Sequence, residues 1–264
     1  MKLRVAQLQE FSAADRVIAD DDYVAVLDGA TSFVPGVPDV GVYVDTLSNE
    51  LRERLCDTTG ELRRILADSI SATADQLDLL PGHSPSSTVA ILRHRGTVLE
   101  TLLLGDSTIV VGDVRGSCMV ATDNRLAELD LPETHRYRRR LSGGSGYDDT
   151  HRDILRSLQD NQQRYRNRAN GYWIAEADPV AAEHAITSIH SAADVSWSVL
   201  ATDGASERIG AVGFSWDRIA RSDIDDLNGL LTECHRWEAE ADPDGRVAPR
   251  AKRHDDKSLV VVTP

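Results

Sequence analysis

At 264 residues, with 41% hydrophobic and 27% charged positions, the chain has the makeup of a globular protein of one large or two small domains. A formal net charge of −14 argues against a general nucleic-acid or membrane-surface binder, since either needs a basic field. Three scattered cysteines (Cys56, Cys118 and Cys234) without a CxxC spacing speak for a reducing compartment and against a disulfide framework or zinc site. The N-terminus lacks an apolar signal-like core and no run approaches membrane-spanning length, so a cytoplasmic location is expected.

In chain order, "KLRVAQLQ", "RVIA" and "YVAVL" read as short strands, with a turn at Asp20–Asp22 between the last two. Two helices follow. Val44, Leu47, Leu51 and Leu55 recur at three-to-four spacing over 42–56, and Leu62, Ile65, Leu66, Ser69 and Ile70 do so over 61–80, where "PGHSPS" ends the pattern. "SSTVAILRH", "TVLETLLLG", "STIVVGD" and "SCMVATD" then form a meander with turns at Arg95-Gly96, Asp106 and Arg115-Gly116, and such consecutive hairpins predict one antiparallel sheet. Residues 123–171 differ: basic, then glycine-rich, then an arginine-studded helix candidate from 150, the character of an insertion carried on the core as a lid. Asp178 and Pro179 open a short helix as N-cap and first helical residue. The strand "VSWSVLATD", helices over "FSWDRIA" and "IDDLNGLLTECHRWEAEA", and a last strand "KSLVVVT" complete the chain, with no repeats. This order predicts an α+β fold of two antiparallel sheets with helices packed outside them.

Acids recur where apolar runs end. "VAVLDGATS" stops on Asp28 and Gly29, "LLLGDST" on Asp106, "SVLATDGAS" on Asp203, and in "HDDKSLVVVTP" Asp255 and Asp256 lead into the run. One such acid is ordinary turn chemistry, but four strand ends ask for a common cause. Carboxylates meeting at one edge would raise one another's pKa unless cations sat among them. Hard oxygen donors without His or Cys point to Mg²⁺ or Mn²⁺ and away from zinc. The glycine after Asp28 and Asp203 permits a sharp turn or a close backbone approach. Two such ions would activate a water and clamp a phosphoryl oxygen.

The motifs "AVLDGATS", "SSTVAIL…GDST", "LATDGASE" and "HDDKSLVVV", in this order, resemble those of the metal-dependent type 2C Ser/Thr protein phosphatases, from near residue 10 to the C-terminus. "YRNRANGYWIAEADPVAAEHA" and "EADPDGRVAPRAKRHDDKS" look similar to an actinobacterial subgroup. The resemblance implies a four-layer α-β-β-α sandwich with a binuclear Mg²⁺/Mn²⁺ centre and direct attack of an activated water on phosphate. It implies one domain over 1–264, with 123–171 as its flap. It makes Asp28, Asp203 and Asp255 the residues that carry catalysis: Asp28 bridges the metals, the Gly29 carbonyl binds the second, and Asp203 and Asp255 complete the first. Asp106 with Asp203 matches a third, weaker site, Asp15 supports the second metal, and Asp256 stands behind the ligands.

Three positions depart from the pattern: Glu10 where an arginine commonly grips phosphate, Ala14 before Asp15, and Ala30 where eukaryotic members carry a histidine. Arg138, Arg139 and Arg140, or Arg164, Arg166 and Arg168, are the candidate replacements for phosphate binding, as planar bidentate donors folding over the metal edge. The plain alternative is a solvated polar helix. His135 and His151 are placed to serve as general acids, yet as lone histidines they read as surface residues. The expected substrate is a phosphorylated protein or a small phosphomonoester. The competing class is a catalytically silent module that binds a phosphorylated partner or regulates a kinase.

Overall fold

The computed structural model describes residues 1–9, 14–30 and 36–263. Ten strands among them form two five-stranded antiparallel sheets. The first has the order β1 (Lys2–Leu8), β10 (Lys257–Thr263), β9 (Val195–Ala201), β6 (Thr108–Asp113), β7 (Cys118–Thr122). The second runs β2 (Asp15–Ala19), β3 (Tyr23–Ala30), β4 (Ser86–Arg95), β5 (Val98–Leu104), β8 (Ile186–Ser191).

Period-two alternation assigns each strand's side chains to two different cores. Val24 and Val26 of β3 meet Leu200, Val260 and Val262 of the first sheet between the sheets. Ala25 and Leu27 point the other way, onto helices α1 (Val40–Leu55) and α2 (Leu62–Gln76). In β10, Val260 and Val262 face the sheet interface, while Leu259 and Val261 pack beneath α5 (Asp203–Ile209), α6 (Trp216–Arg221) and α7 (Ile224–Arg236). The result is the expected α-β-β-α stack. A strand covered on both faces carries apolar residues at every position, which is why "SLVVV" shows no polar alternation.

The Asp39 side chain caps α1 by accepting from the Gly41 N–H, and the helix buries Tyr43, Val44, Leu47, Leu51 and Leu55 on one stripe. Each such side chain contributes about 1.5–3 kcal/mol by leaving water. Truncating the fully buried Leu47 to Ala would cost about 2–5 kcal/mol, because the surrounding sheet cannot close the hole.

The single meander does not form. β4 and β5 pair in the second sheet, but at Gly105–Asp106 the chain crosses to the first, where β6 pairs with β7 and β9. A polar break between apolar runs looks the same for a hairpin and for a sheet switch. The true neighbour of β5 is β8, an edge strand too exposed to show an apolar pattern.

Two helices also lie where composition had hidden or blurred them. α3 (Pro132–Ser142) covers the basic stretch and buries only Tyr137 and Leu141, while α4 (Asp149–Gln163) ends earlier than its pattern suggested. The two pack on each other through Leu131, Tyr137, Leu141, Ile154 and Leu158. Asp178 accepts from the Val180 N–H and starts a 3₁₀ turn at Pro179–His184, as expected.

Candidate metal centre

The acids singled out in the sequence gather at one end of the sandwich. Asp15 opens β2 and lies opposite Asp28 of β3 in register. Asp106 occupies the crossing between sheets, Asp203 is the first residue of α5 directly after β9, and Asp255 leads into β10. Asp28, Gly29, Asp106, Asp203 and Asp255 line one cavity of about 520 Å³. Asp106, Asp203 and Asp255 also line an adjoining cavity of about 390 Å³.

The two "DG" glycines act by close packing. A Cβ on Gly29 would lie 2.8 Å from Val40 Cγ2 and 2.9 Å from Ala14 Cβ, so α1 comes directly against the end of β3. A Cβ on Gly204 would lie 2.1 Å from the Asp256 carbonyl oxygen, so α5 and the approach to β10 touch backbone to backbone. That contact holds Asp203 and Asp255 side by side.

Asp15 is fully buried. Its Oδ2 accepts from Thr202 Oγ1 at 2.9 Å and Ser258 Oγ at 2.8 Å, both from the opposite sheet. Its Oδ1 is buried with no hydrogen-bond partner among the described residues. Asp256 is buried and lines neither cavity; its Oδ2 accepts from the Ala14 N–H at 2.7 Å, fixing the chain where it enters β2.

Burial and mutual repulsion hold Asp15, Asp28, Asp106 and Asp255 back from ionising. Burial lifts Asp28 well above the usual carboxylate range, with Asp15, Asp203 and Asp255 adding to it and Lys252 partly opposing. Burial brings Asp15 up to about 7, against the two hydroxyls and with help from Asp256 and Asp203. Asp106 also reaches about 7, from burial and then from Asp203. Asp255 is raised by burial and Asp203 despite Lys252. A divalent cation among them would relieve that repulsion as the protons leave.

The donor set suits a hard ion. The acids offer carboxylate oxygens only, the donor chemistry of Mg²⁺ or Mn²⁺, and Asp15, which lines neither cavity, keeps Oδ1 as a buried acceptor without a partner. A desolvated acceptor left bare costs about 1–3 kcal/mol.

Of the six arginines, Arg166 lines the larger cavity, with Nη1 3.3 Å from the Ser84 carbonyl and Nε 3.4 Å from the Tyr172 hydroxyl. Arg138 lines the adjoining one. Arg140 pairs with Asp148 at 2.7 Å, and Arg139, Arg164 and Arg168 are exposed outside both walls. α4 supplies Gln159, Asp160, Gln162 and Gln163 to the larger cavity. His151 corrects its reading as a surface residue: it is buried between Tyr137 and Tyr147, with Nε2 2.8 Å from the Ala251 carbonyl. His135 is exposed and pairs with Asp130. Glu10 lies outside the described residues.

Three cavity residues escaped the sequence reading. His83 lines the same cavity as Ala30. Glu207 sits one turn after Asp203 and is raised by burial and by that neighbour. Lys252 enters both cavities and places Nζ 2.7 Å from Asp255 Oδ1. Its only sequence signal is a lysine three residues before the acid pair.

The two sheets, their flanking helices and the acid-lined end define the fold of the metal-dependent type 2C (PPM) Ser/Thr protein phosphatases. No protein-family model and no curated protein matches the sequence. The catalytic domain of the serine/threonine phosphatase PstP, solved with two manganese ions, is 16% identical, superposes with a TM-score of 0.55, and matches over 98% of this chain and 96% of its own. The PPM Ser/Thr phosphatase MsPP from Mycobacterium smegmatis, solved with cacodylate, gives 14% identity, a TM-score of 0.55 and coverage of 100% and 98%. Ser/Thr phosphatase Stp1 from Staphylococcus aureus gives 13%, 0.56, and 100% and 94%.

Proposed function

We propose that the protein is a Mg²⁺- or Mn²⁺-dependent phosphomonoesterase acting on phosphoserine or phosphothreonine of other proteins. The observation that carries this reading is the convergence of Asp28, Asp106, Asp203 and Asp255, from both sheets, on one cavity, with Asp15, whose Oδ1 is buried and unpaired, opposite Asp28 in register. Likeness of fold to phosphatases that bind manganese supports it.

Asp28, with the Gly29 carbonyl, would hold both ions. Asp203 and Asp255 would hold the first, Asp15 would support the second, and Asp106 with Asp203 would offer a third, weaker site. When bound, the ion pair supplies a nucleophilic water at neutral pH and neutralises phosphate charge. In the hydrolysis a water oxygen bonds to phosphorus, the P–O ester bond breaks, and the alcohol leaves with a proton. His83 is the wall residue suited to donate that proton, since Ala30 cannot. Arg166 faces the same space as a phosphate donor. Residues 123–171 act as a flap over the cavity, on a single domain that spans the chain, and α4 shapes the entrance. Among the described residues no helix is long and apolar enough to cross a membrane.

The test is hydrolysis of p-nitrophenyl phosphate and of a phosphothreonine peptide by Mn²⁺-loaded protein. Asp28→Ala and Asp203→Ala should abolish turnover, and chelation should do so reversibly. A protein that binds Mn²⁺ and captures the phosphopeptide without turnover above the Asp28→Ala level would instead be a silent recognition module.

A further inference from the structure

The segment from Asp242 to Asp256 has no regular structure, yet its backbone is held firmly. Asp242 is buried and accepts from the N–H groups of Arg246, Val247 and Ala248. Its Oδ2 also receives Arg250 Nη1 at 2.9 Å. The buried Arg250 guanidinium spends its remaining N–H groups on the carbonyls of Glu238, Asp242, Ala248 and Arg253. One residue on, the Ala251 carbonyl faces the ring of His151 on α4. Residues 250 and 251 are thus gripped from the core side and from the lid side, and Lys252 is the next residue.

Lys252 is therefore delivered into the acid cluster by a frame that does not depend on its own charge. Its ammonium meets Asp255 at Oδ1 alone, and the Asp256 N–H donates to that same oxygen at 3.1 Å. Asp255 Oδ2 stays available to a cation. An ammonium and a cation could accordingly share this carboxylate, which would put a positive charge beside any ion held there. A phosphomonoester dianion seated in the cavity would find it there as a point-charge donor.

We propose that Lys252 is a substrate-binding residue whose ammonium donates to a non-bridging oxygen of the phosphoryl group. This rests on the phosphomonoesterase reading and assigns to this lysine the phosphate grip of that site.

The experiment uses the full chain saturated with Mn²⁺, with Lys252→Met and Lys252→Arg compared with wild type. Calorimetry gives the Mn²⁺ affinity and then the affinity of the loaded protein for inorganic phosphate, and p-nitrophenyl phosphate gives KM and kcat. Loss of one charge-assisted hydrogen bond should weaken phosphate binding in Lys252→Met and raise KM by about 10- to 100-fold. Mn²⁺ affinity should stay within a few-fold, and Lys252→Arg should recover most of the loss. The proposal is overturned if Lys252→Met binds phosphate as wild type does. It is equally overturned if that variant binds Mn²⁺ more tightly with unchanged or higher kcat/KM, because the lysine would then be a competitor for the metal. Turnover by wild type with a KM that is unchanged in Lys252→Met sinks the lysine assignment alone. A loaded wild type that neither binds phosphate nor hydrolyses the ester sinks both readings.

Discussion

Replacing Asp15 by Asn tests the strained charge of the site in the metal-free protein. Burial takes the Asp15 carboxyl from 3.8 to about 7 on folding. A raised folded-state pKa means that the native protein keeps a proton the unfolded chain has released. The group therefore adds most stability below pH 3.8, and this contribution is lost as pH rises through about 7. Each pH unit between those limits is worth about 1.36 kcal/mol, so acidifying from pH 8 to pH 5 should stabilise the chelated protein by about 2.5 kcal/mol through this one residue. Asp28, Asp106 and Asp255 act in the same direction. His190 opposes them, because burial holds it below 6.5, but it cancels between wild type and variant. The assay is urea unfolding of both proteins in chelator across pH 5–8. Asn keeps an oxygen for Thr202 and Ser258 to donate to, so the variant should fold with a flatter slope. Saturating Mn²⁺ should reverse the wild-type trend, because its ligands must lose their protons. Equal slopes in wild type and Asp15→Asn would refute the reasoning.

Two further outcomes follow from the geometry. Gly204→Ala forces a methyl against the Asp256 carbonyl and should cost about 2–3 kcal/mol in chemical unfolding, with weaker Mn²⁺ binding by calorimetry. Gly210→Ala, where a Cβ meets nothing within 4 Å, is the control and should stay within about 1 kcal/mol. His83→Asn should slow hydrolysis of an alkyl phosphate by about 10²-fold or more while sparing p-nitrophenyl phosphate, whose leaving group needs no acid; steady-state kinetics on the two esters measures the difference.

The acids could be found in the sequence because each sits where an apolar run stops, and the sandwich brings those strand ends together. Asp28 and Asp203 carried the further mark of a following glycine. The register that sets Asp15 against Asp28 did not show, since it depends on a turn whose length and pairing are settled by the whole sheet. Lys252 was hidden for a related reason: its placement is decided by the Asp242–Arg250 pair and by His151, a residue 101 positions earlier on another element. The arginines were legible as a group but not singly. Arg138 and Arg166 line the cavities, while Arg140 pairs with Asp148 and Arg139, Arg164 and Arg168 face solvent, a division that rotation along α3 and the path of the chain after α4 decide. β8 escaped because an edge strand with Ile186 and Ile189 exposed has no burial pattern to display.

The small apolar cluster beneath α3 and α4 shares no member with the three larger cores. The pair has an apolar core of its own and also reaches the rest of the chain through polar contacts, His151 to the Ala251 carbonyl and Gln163 to the Gly82 carbonyl. Gln159 and Gln162 of α4 line both cavities beside the acids. The helices that wall the cavity and the strand ends that carry the acids are thus separate stretches of the polypeptide, joined where His151 meets the Ala251 carbonyl.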